Sequence, residues 1–481
     1  MLHPSVPNQS ARGAPLVPAG VDFDAGLIAR LGKNGPRYTS YPTADRFSDS
    51  FGYRDYLHAV AAVRTRGAPR PMSLYLHIPF CDTVCYYCAC NKIVTKNRDK
   101  AVTYLGYLKR EIAMQGALLA GMNEVEQLHV GGGTPTYLSD AQMGELMAHL
   151  RRVFRFAPDA AGEYSIEVDP RSVTADRVHS LRSQGFNRIS LGVQDFDAAV
   201  QRAVNRVQPE SETRAIIGAA RAAGFRSVSI DLIYGLPKQG LATMAATMDK
   251  VIDADPDRIS LYHYAHLPRL FKPQRRILEA DMPGSAEKLD MLALCIERLT
   301  GAGYVYIGMD HFAKPGDDLA VAQRQGRLHR NFQGYSTHAD SDLVACGVSA
   351  IGAVGATYSQ NAKTLEAYYE ALDNNELPVV RGFALDMDDL LRRSIIQSLM
   401  CQFELSIRAI EQAFPVLFAD YFSDELAQLR EYAADGLILI EDGWLTVTPR
   451  GRLLIRNLCM VFDRHLAGAG AGAPARHSRT L

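Results

Sequence analysis

From Ser73 onward the chain alternates between two periods. Short runs in which every second position is apolar read as strands: Ser73–Ile78, Val125–Val130, Tyr164–Val168, Arg188–Val193, Ser227–Ile233 and Arg258–Tyr264. Between them lie amphipathic stretches at helical spacing, among them Lys100–Leu119, Ala141–Phe154, Thr174–Gln184 and Glu212–Ala223. Another helical pattern, Tyr53–Arg64, leads into the first strand. Strand, helix, strand in this order means parallel pairing through right-handed crossovers. Six such units predict an incomplete (β/α)6 parallel barrel, short of the closed eight-stranded form.

The alternation also predicts which face looks inward. Ser165, Glu167 and Asp169 share one face of their strand, as do Arg188, Ser190, Gly192 and Gln194 of the next. Ser227, Ser229 and Asp231 do the same, followed by Ser260, Tyr262 and Tyr264. The opposite faces carry Ile166 and Val168, Ile189, Leu191 and Val193, Val228, Ile230 and Leu232, and Ile259 and Leu261. A closed barrel fills its interior with branched apolar side chains. Polar groups line this one, so the lumen is expected to hold a ligand.

The flanks differ in character. Residues 1–20, rich in Pro, Ala and Gly, are expected to be disordered. Residues 21–70 form an N-terminal arm whose segment Pro36–Thr43 brackets an arginine and two tyrosines between prolines. The plain reading is an extended arm packing its rings on the body. Residues 71–380 are expected to be the catalytic domain. Residues 381–465 read as a mainly helical domain ending in Leu437–Glu441, the turn Asp442-Gly443, Trp444–Val447 and a last helix, a pattern similar to a winged helix. Residues 466–481 form a flexible tail rich in Gly and Ala.

Composition narrows the classes. A chain of 481 residues with 47% hydrophobic and 22% charged residues is an ordinary soluble protein. A formal charge of −1 supplies no basic field, which argues against nucleic acid and makes the winged-helix pattern a cap. No apolar run reaches membrane-spanning length, and no charged segment followed by an apolar core opens the chain. A cytoplasmic protein is expected, and without coiled-coil heptads a monomer.

Of the eight cysteines, Cys81, Cys85, Cys88 and Cys90 fall directly after the first strand, in Tyr75-Leu76-His77-Ile78-Pro79-Phe80-Cys81 and onward to Cys90. In a reducing compartment, clustered thiols point to metal rather than to disulfides. Cys-x3-Cys-x2-Cys lets a tight loop present three sulfurs to an iron–sulfur cubane and leaves one iron open. Two plainer readings stand beside it: a zinc knuckle using all four, and inert buried thiols. Cys295, Cys346, Cys401 and Cys459 are scattered and read as buried thiols. The second strand ends in Gly131-Gly132-Gly133-Thr134-Pro135, where missing side chains permit close backbone approach. Glu167, Gln194, Asp231 and Ala265 stand at later strand ends, where barrels gather catalytic groups, and Arg206 follows Gln194. Asp310-His311 reads as a structural hydrogen bond.

The cysteine spacing resembles that of the radical S-adenosylmethionine enzymes. With Tyr-x-His-Ile-Pro-Phe before it and Cys90 after it, the loop is similar to that of the oxygen-independent coproporphyrinogen III oxidases. The likeness runs through Pro36–Thr43, Gly131–Leu138, Ser165–Arg171, Gly185–Phe196, Ile230–Lys238, Ile307–Ala313, His329–Gly334 and Gly347–Ile351. It implies a barrel of radical S-adenosylmethionine type. It also implies a [4Fe-4S] cluster on Cys81, Cys85 and Cys88, with Cys90 nearby but not a ligand, and two bound molecules of S-adenosylmethionine. Tyr75, Tyr87, Gly132, Glu167 and Ile351 match positions for the cluster-bound molecule, with Tyr87 beside the adenine. Gly133, Thr134, Gln194, Arg206, Asp231 and Ala265 match those for the second.

By the same resemblance, a 5′-deoxyadenosyl radical takes hydrogen from the propionate β-carbon of coproporphyrinogen III. Loss of carbon dioxide and one electron leaves a vinyl group, and rings A and B together give protoporphyrinogen IX. The implied partners are that porphyrinogen, a reductase or flavodoxin/ferredoxin-type electron donor, and an electron acceptor. Arg37, Tyr38, Lys92 and Lys96 are the candidates to meet the propionates, with the arm covering the site mouth. The alternative is a haem-trafficking relative without oxidase activity, which resembles a shorter chain with an aromatic residue at the place of Cys90.

Overall fold

The computed structural model describes residues 20–65, 70–121, 124–339, 341–441 and 443–466. The first 19 residues, the Gly/Ala-rich tail after 466 and Asp442 of the expected turn lie outside the described residues. The chain forms two compact units: Phe47–Ala302 with Asp340–Phe383, and Met1–Arg46 with Gly303–Ala339 and Ala384–Leu481.

In the larger unit, ten strands form an open sheet. They are β1 (Met72–Ile78), β2 (Val125–Gly132), β3 (Glu163–Val168), β4 (Arg188–Gln194), β5 (Ser227–Tyr234), β6 (Arg258–His263), β7 (Asp342–Cys346), β8 (Ile351–Val354), β9 (Thr357–Asn361) and β10 (Val379–Ala384). Their order is β10-β9-β8-β7-β1-β2-β3-β4-β5-β6. All six expected strands are present and pair in parallel, in sequence order from β1 to β6. A seventh parallel strand, β7, joins the other side of β1, and β8 and β9 return antiparallel. Sequence reading missed β7 because all five of its residues are buried, so it carries no alternation.

The apolar faces do as their pattern predicts. Ile166, Leu191, Ile230 and Ile259 are each fully buried. Helix α1 (Asp99–Leu118) and helix α2 (Asp140–Val153) bring Leu108, Ile112, Met143, Leu146 and Leu150 to the core, all fully buried. Each such side chain removed from water is worth about 1.5–3 kcal/mol. Helix α2 starts where Ser139 and Gln142 cap each other's backbone N–H groups, a two-sided stop that fixes its first turn.

The smaller unit gathers segments from several of the expected parts. Residues 20–46 of the arm group with the C-terminal region, and so does Gly303–Ala339. Inside this unit Arg456 Nε donates to the Pro36 carbonyl at 2.8 Å, and Asn457 Nδ2 to Leu31 at 2.7 Å. Tyr38, 1% exposed, donates to Asp463 at 2.9 Å, and Tyr41 is fully buried. Arg37 pairs with Asp310, whose carboxyl stays below its ordinary value because Arg37, His311, Arg330 and Arg456 together outweigh the cost of burial. Asp310 is thus a structural ion-pair partner. The rings of Tyr38 and Tyr41 thus pack on the body, as the plain reading of the arm expects, and Arg37 is held by Asp310. The C-terminal part carries an antiparallel sheet in the order Glu404–Ser406, Trp444–Val447, Ile438–Glu441, with helices Ile407–Ala413 and Ser423–Ala434, as a winged helix requires. Among the described residues no helix is long and apolar enough to cross a membrane.

Candidate active site

The cysteine loop is a closed excursion. Phe80–Cys81, just after β1, pairs in parallel with Ile93–Val94, so the loop leaves and returns at one place. Phe80 is fully buried, stacked on Tyr137 and edge-on to Tyr104, which anchors the start. The far side is held by Tyr86 N–H to the Val204 carbonyl at 2.9 Å and Asn205 Nδ2 to the Val84 carbonyl at 2.7 Å. All four thiols face a cavity of about 550 Å³ that the ends of β2, β3, β4 and β5 also line.

Each thiol has its own surroundings. Thr134 Oγ1 donates to Cys81 Sγ at 3.5 Å, yet burial pushes that thiol up to about 11. Arg206 and Arg171 both donate to Cys85 Sγ, at 3.5 and 3.7 Å. The Cys90 thiol bonds to Cys88 and holds it below its ordinary value against the cost of burial. Lys92 Nζ donates to the Cys88 carbonyl at 3.0 Å. Among the described residues no three His, Cys, Asp or Glu side chains converge on a single-ion position.

The glycine turn is bolted to this loop. Gly133 N–H donates to the Ile78 carbonyl and Thr134 N–H to the Phe80 carbonyl, both at 2.8 Å. Gly132 has φ +115°, and a Cβ there would stand 2.7 Å from the His77 ring. At Gly133 a Cβ would stand 2.7 Å from the Pro79 and Phe80 backbone. Gly132 and Gly133 are therefore glycine because the chain's own first strand end lies against them, whereas a Cβ at Gly131 would meet the Glu167 carboxylate at 2.7 Å.

Two carboxylates face the lumen. Glu167 accepts from His129 Nε2 at 3.0 Å and from Gly132 N–H at 3.2 Å. Burial opposes its charge, but the His129 bond and charge and the Gly132 N–H outweigh it, holding the carboxyl below its ordinary value. The barrel encloses it, though its side chain is 42% open to the cavity. Tyr75 stacks on His129, with ring centroids 5.9 Å apart, and its hydroxyl meets His77 Nδ1 at 3.0 Å. Asp231, beside Gly192 on β4 and Ser260 on β6, takes a bond from Ser190 at 3.2 Å. Burial first, then the charge of Glu167, pushes it up to about 6. The core arginine Arg188 pairs instead with Glu163, at 3.2 Å, so neither lumen carboxylate is merely its partner.

Where β4 ends, Gln194 adopts φ +70° beside an irregularity in its pairing with β5. Non-glycine residues rarely take that conformation, and such strain gathers at sites that need a fixed side chain. Asp169 binds Arg171 at 2.6 Å and Arg206 at 3.1 Å, and the two guanidiniums keep it ionised despite burial. Behind the end of β1, Tyr104 donates to the His77 carbonyl at 2.7 Å. Fully buried Glu111 accepts from Gly347 N–H and Asn361 Nδ2, both at 2.7 Å, and from Tyr368 at 2.5 Å.

Of the residues singled out from sequence, Cys81, Cys85, Cys88, Tyr87, Gly132, Gly133, Thr134, Glu167, Gln194, Arg206 and Asp231 line this one cavity. Tyr75, Ala265 and Ile351 are not among its lining residues. Ala265 stands one link away: Gln274 Nε2 holds its carbonyl at 3.2 Å and that of Tyr87 at 2.9 Å. Ile351 opens β8, opposite Gln360. Lys92 lines the cavity, whereas Lys96 is an exposed surface residue. Sequence reasoning missed the roles of Arg171 and His129. His129 was legible in principle, because it alternates with the buried Leu128 and Val130 on β2.

Residues 75–251 match the family model described as the radical SAM superfamily, and residues 385–454 that described as the HemN C-terminal domain. Oxygen-independent coproporphyrinogen III oxidase from Pseudomonas aeruginosa is 51% identical over 93% of this chain and 96% of its own length. That from Escherichia coli is 52% identical over the same shares. The solved structure of coproporphyrinogen III oxidase (HemN) from Escherichia coli, a radical SAM enzyme, superposes with a TM-score of 0.88, covering 93% of this chain and all of that one at 51% identity. With half of all positions identical along nearly the full length, the chain belongs to the oxygen-independent coproporphyrinogen III oxidase family of radical S-adenosylmethionine enzymes.

Proposed function

We propose that the chain catalyses oxygen-independent oxidative decarboxylation of the ring A and B propionates of coproporphyrinogen III, giving the vinyl groups of protoporphyrinogen IX. One juxtaposition carries this reading. Three thiols at Cys-x3-Cys-x2-Cys spacing open onto the same cavity as the glycine turn, Glu167, Gln194, Arg206 and Asp231.

The donor set fits a [4Fe-4S] cluster with one open iron: three loop thiols at Cys-x3-Cys-x2-Cys spacing, each with its own hydrogen-bond donor. Cys81, Cys85 and Cys88 would hold it. When bound, the cluster supplies the electron that cleaves S-adenosylmethionine to methionine and a 5′-deoxyadenosyl radical. Glu167, kept ionised by His129, offers its charge to a sulfonium or to ribose hydroxyls, and with Tyr75, Tyr87, Gly132 and Ile351 would bind the first molecule. Tyr87 offers a ring to the adenine.

Gly133, Thr134, Gln194, Arg206, Asp231 and Ala265 would bind a second molecule. The Nε of Arg206 is a buried donor with no hydrogen-bond partner, which suits a carboxylate. Lys92 offers a cation to a propionate from the cavity wall. A flavodoxin- or ferredoxin-type donor, a cytoplasmic location and a monomeric state complete the reading.

The test is anaerobic turnover of coproporphyrinogen III with S-adenosylmethionine and a reductant, followed by mass analysis of the oxidised porphyrins. Two successive losses of carbon dioxide and two hydrogens are expected. S-adenosylmethionine cleavage without any vinyl product would overturn the substrate while leaving the radical chemistry standing.

A further inference from the structure

Two strand ends that are far from the cysteine loop in sequence converge on one of its sulfurs. Arg171 follows β3, Arg206 follows β4, and both direct N–H groups at Cys85 Sγ, at 3.7 and 3.5 Å. Neither guanidinium is placed by chance. Arg171 is gripped by Asp169 through Nε at 3.0 Å and its terminal nitrogen at 2.6 Å. Arg206 is fixed by Asp169 at 3.1 Å and by the Gly192 carbonyl. Side-chain exposures of 21% for Arg171, 7% for Arg206 and 14% for Asp169 leave little water to screen them. Two cations and one carboxylate leave one net positive charge beside this thiol, whereas Cys81 has the neutral hydroxyl of Thr134.

We propose that Arg171, held by Asp169, acts with Arg206 to set the reduction potential of the cluster through N–H donation to the Cys85 sulfur. The inference rests on the reading of Cys81, Cys85 and Cys88 as ligands. The step concerned is one-electron reduction of the cluster by the external donor. The cluster gains the electron the donor loses, and no bond or proton changes. Added negative charge spreads onto the thiolates, so donors and positive charge at one of them favour the reduced state and raise the potential. Arg171 is a positioning residue in this step: it meets a ligand, and the cluster only through it.

The measurement is an anaerobic redox titration of the holoprotein followed by electron paramagnetic resonance, in wild type, Arg171→Gln and Arg171→Lys. At the wild-type midpoint, Arg171→Gln is expected to shift the oxidised-to-reduced ratio about tenfold towards oxidised, ~59 mV for a one-electron couple. Arg171→Lys keeps the charge and is expected to fall between the two. It also carries the test if the glutamine variant assembles no cluster. An unchanged or higher midpoint at full iron and sulfide content overturns the proposal. Cys85→Ser separates the two layers. If it keeps an intact [4Fe-4S] cluster, the ligand reading has failed. If it loses the cluster while the Arg171 midpoints stay at the wild-type value, only the tuning has failed.

Discussion

Glu167→Gln isolates the charge at the centre of the lumen. The amide keeps the shape. Its oxygen can take the Gly132 N–H now bonded at 3.2 Å, and its NH2 can meet His129 once that ring changes tautomer. What disappears is one negative charge. A hydrogen bond to a charged group contributes about 1.5–3 kcal/mol and a neutral one about 0.5–1.5, so the difference is about 1–1.5 kcal/mol. The 42% opening of the side chain to the cavity puts the effect at the low end. S-adenosylmethionine should therefore bind about fivefold more weakly.

The same change has a second readout, on Asp231. Its carboxyl stands at about 6, raised by burial and then by the charge of Glu167. As pH falls through 6 the wild type loses this second negative charge, and affinity for the cationic ligand drops. In Glu167→Gln the repulsion is gone, so Asp231 stays ionised further down and the acid limb moves to lower pH. Anaerobic equilibrium dialysis of holoprotein between pH 5 and 8 measures both effects. Unchanged affinity at pH 8 with an unmoved acid limb would refute the placement of Glu167 and Asp231 in the lumen that holds S-adenosylmethionine.

Three other changes test the supports of the site. Gly133→Ala puts a methyl 2.7 Å from the Pro79 and Phe80 backbone, which cannot yield as a side chain does, so the cysteine loop must move. The expected cost is about 1–3 kcal/mol, with less iron and sulfide per chain, read by thermal melting and metal analysis. Cys90→Ser should keep a full complement of iron and sulfide, because Cys90 donates to Cys88 and need not bind metal. A loss of cluster there would revive a four-thiolate site.

Burial outweighs three donors and pushes Glu111 up to about 7 from 4.5, so the folded chain holds a proton that the unfolded chain releases. Stability should then fall by about 3 kcal/mol as pH rises from about 4.5 to 7. Glu111→Gln should remove that share of the slope in urea melts, and parallel slopes would count against it.

The sheet was legible because period two survives wherever one strand face is polar, as on β3, β4, β5 and β6. It failed at β7, where Leu343–Cys346 is buried on both faces and no alternation remains. The cluster loop was legible because its chemistry lies within ten residues. Convergence of Asp169, Arg171 and Arg206 on Cys85 was not, because two different strand ends bring those residues there. The arm shows what residue type alone leaves open. Arg37, Tyr38 and Tyr41 suit an anionic macrocycle by type, yet Asp310 and Asp463 engage Arg37 and Tyr38, and Tyr41 is buried in the same unit. Residue type states what a side chain could bind; its neighbours in the fold state what it does bind.

Coproporphyrinogen III deuterated at the propionate β-carbons tests the central claim most directly. Under anaerobic turnover each vinyl group formed should be matched by one S-adenosylmethionine cleaved, with one deuterium recovered in 5′-deoxyadenosine. Vinyl groups formed with no deuterium in 5′-deoxyadenosine would contradict the account.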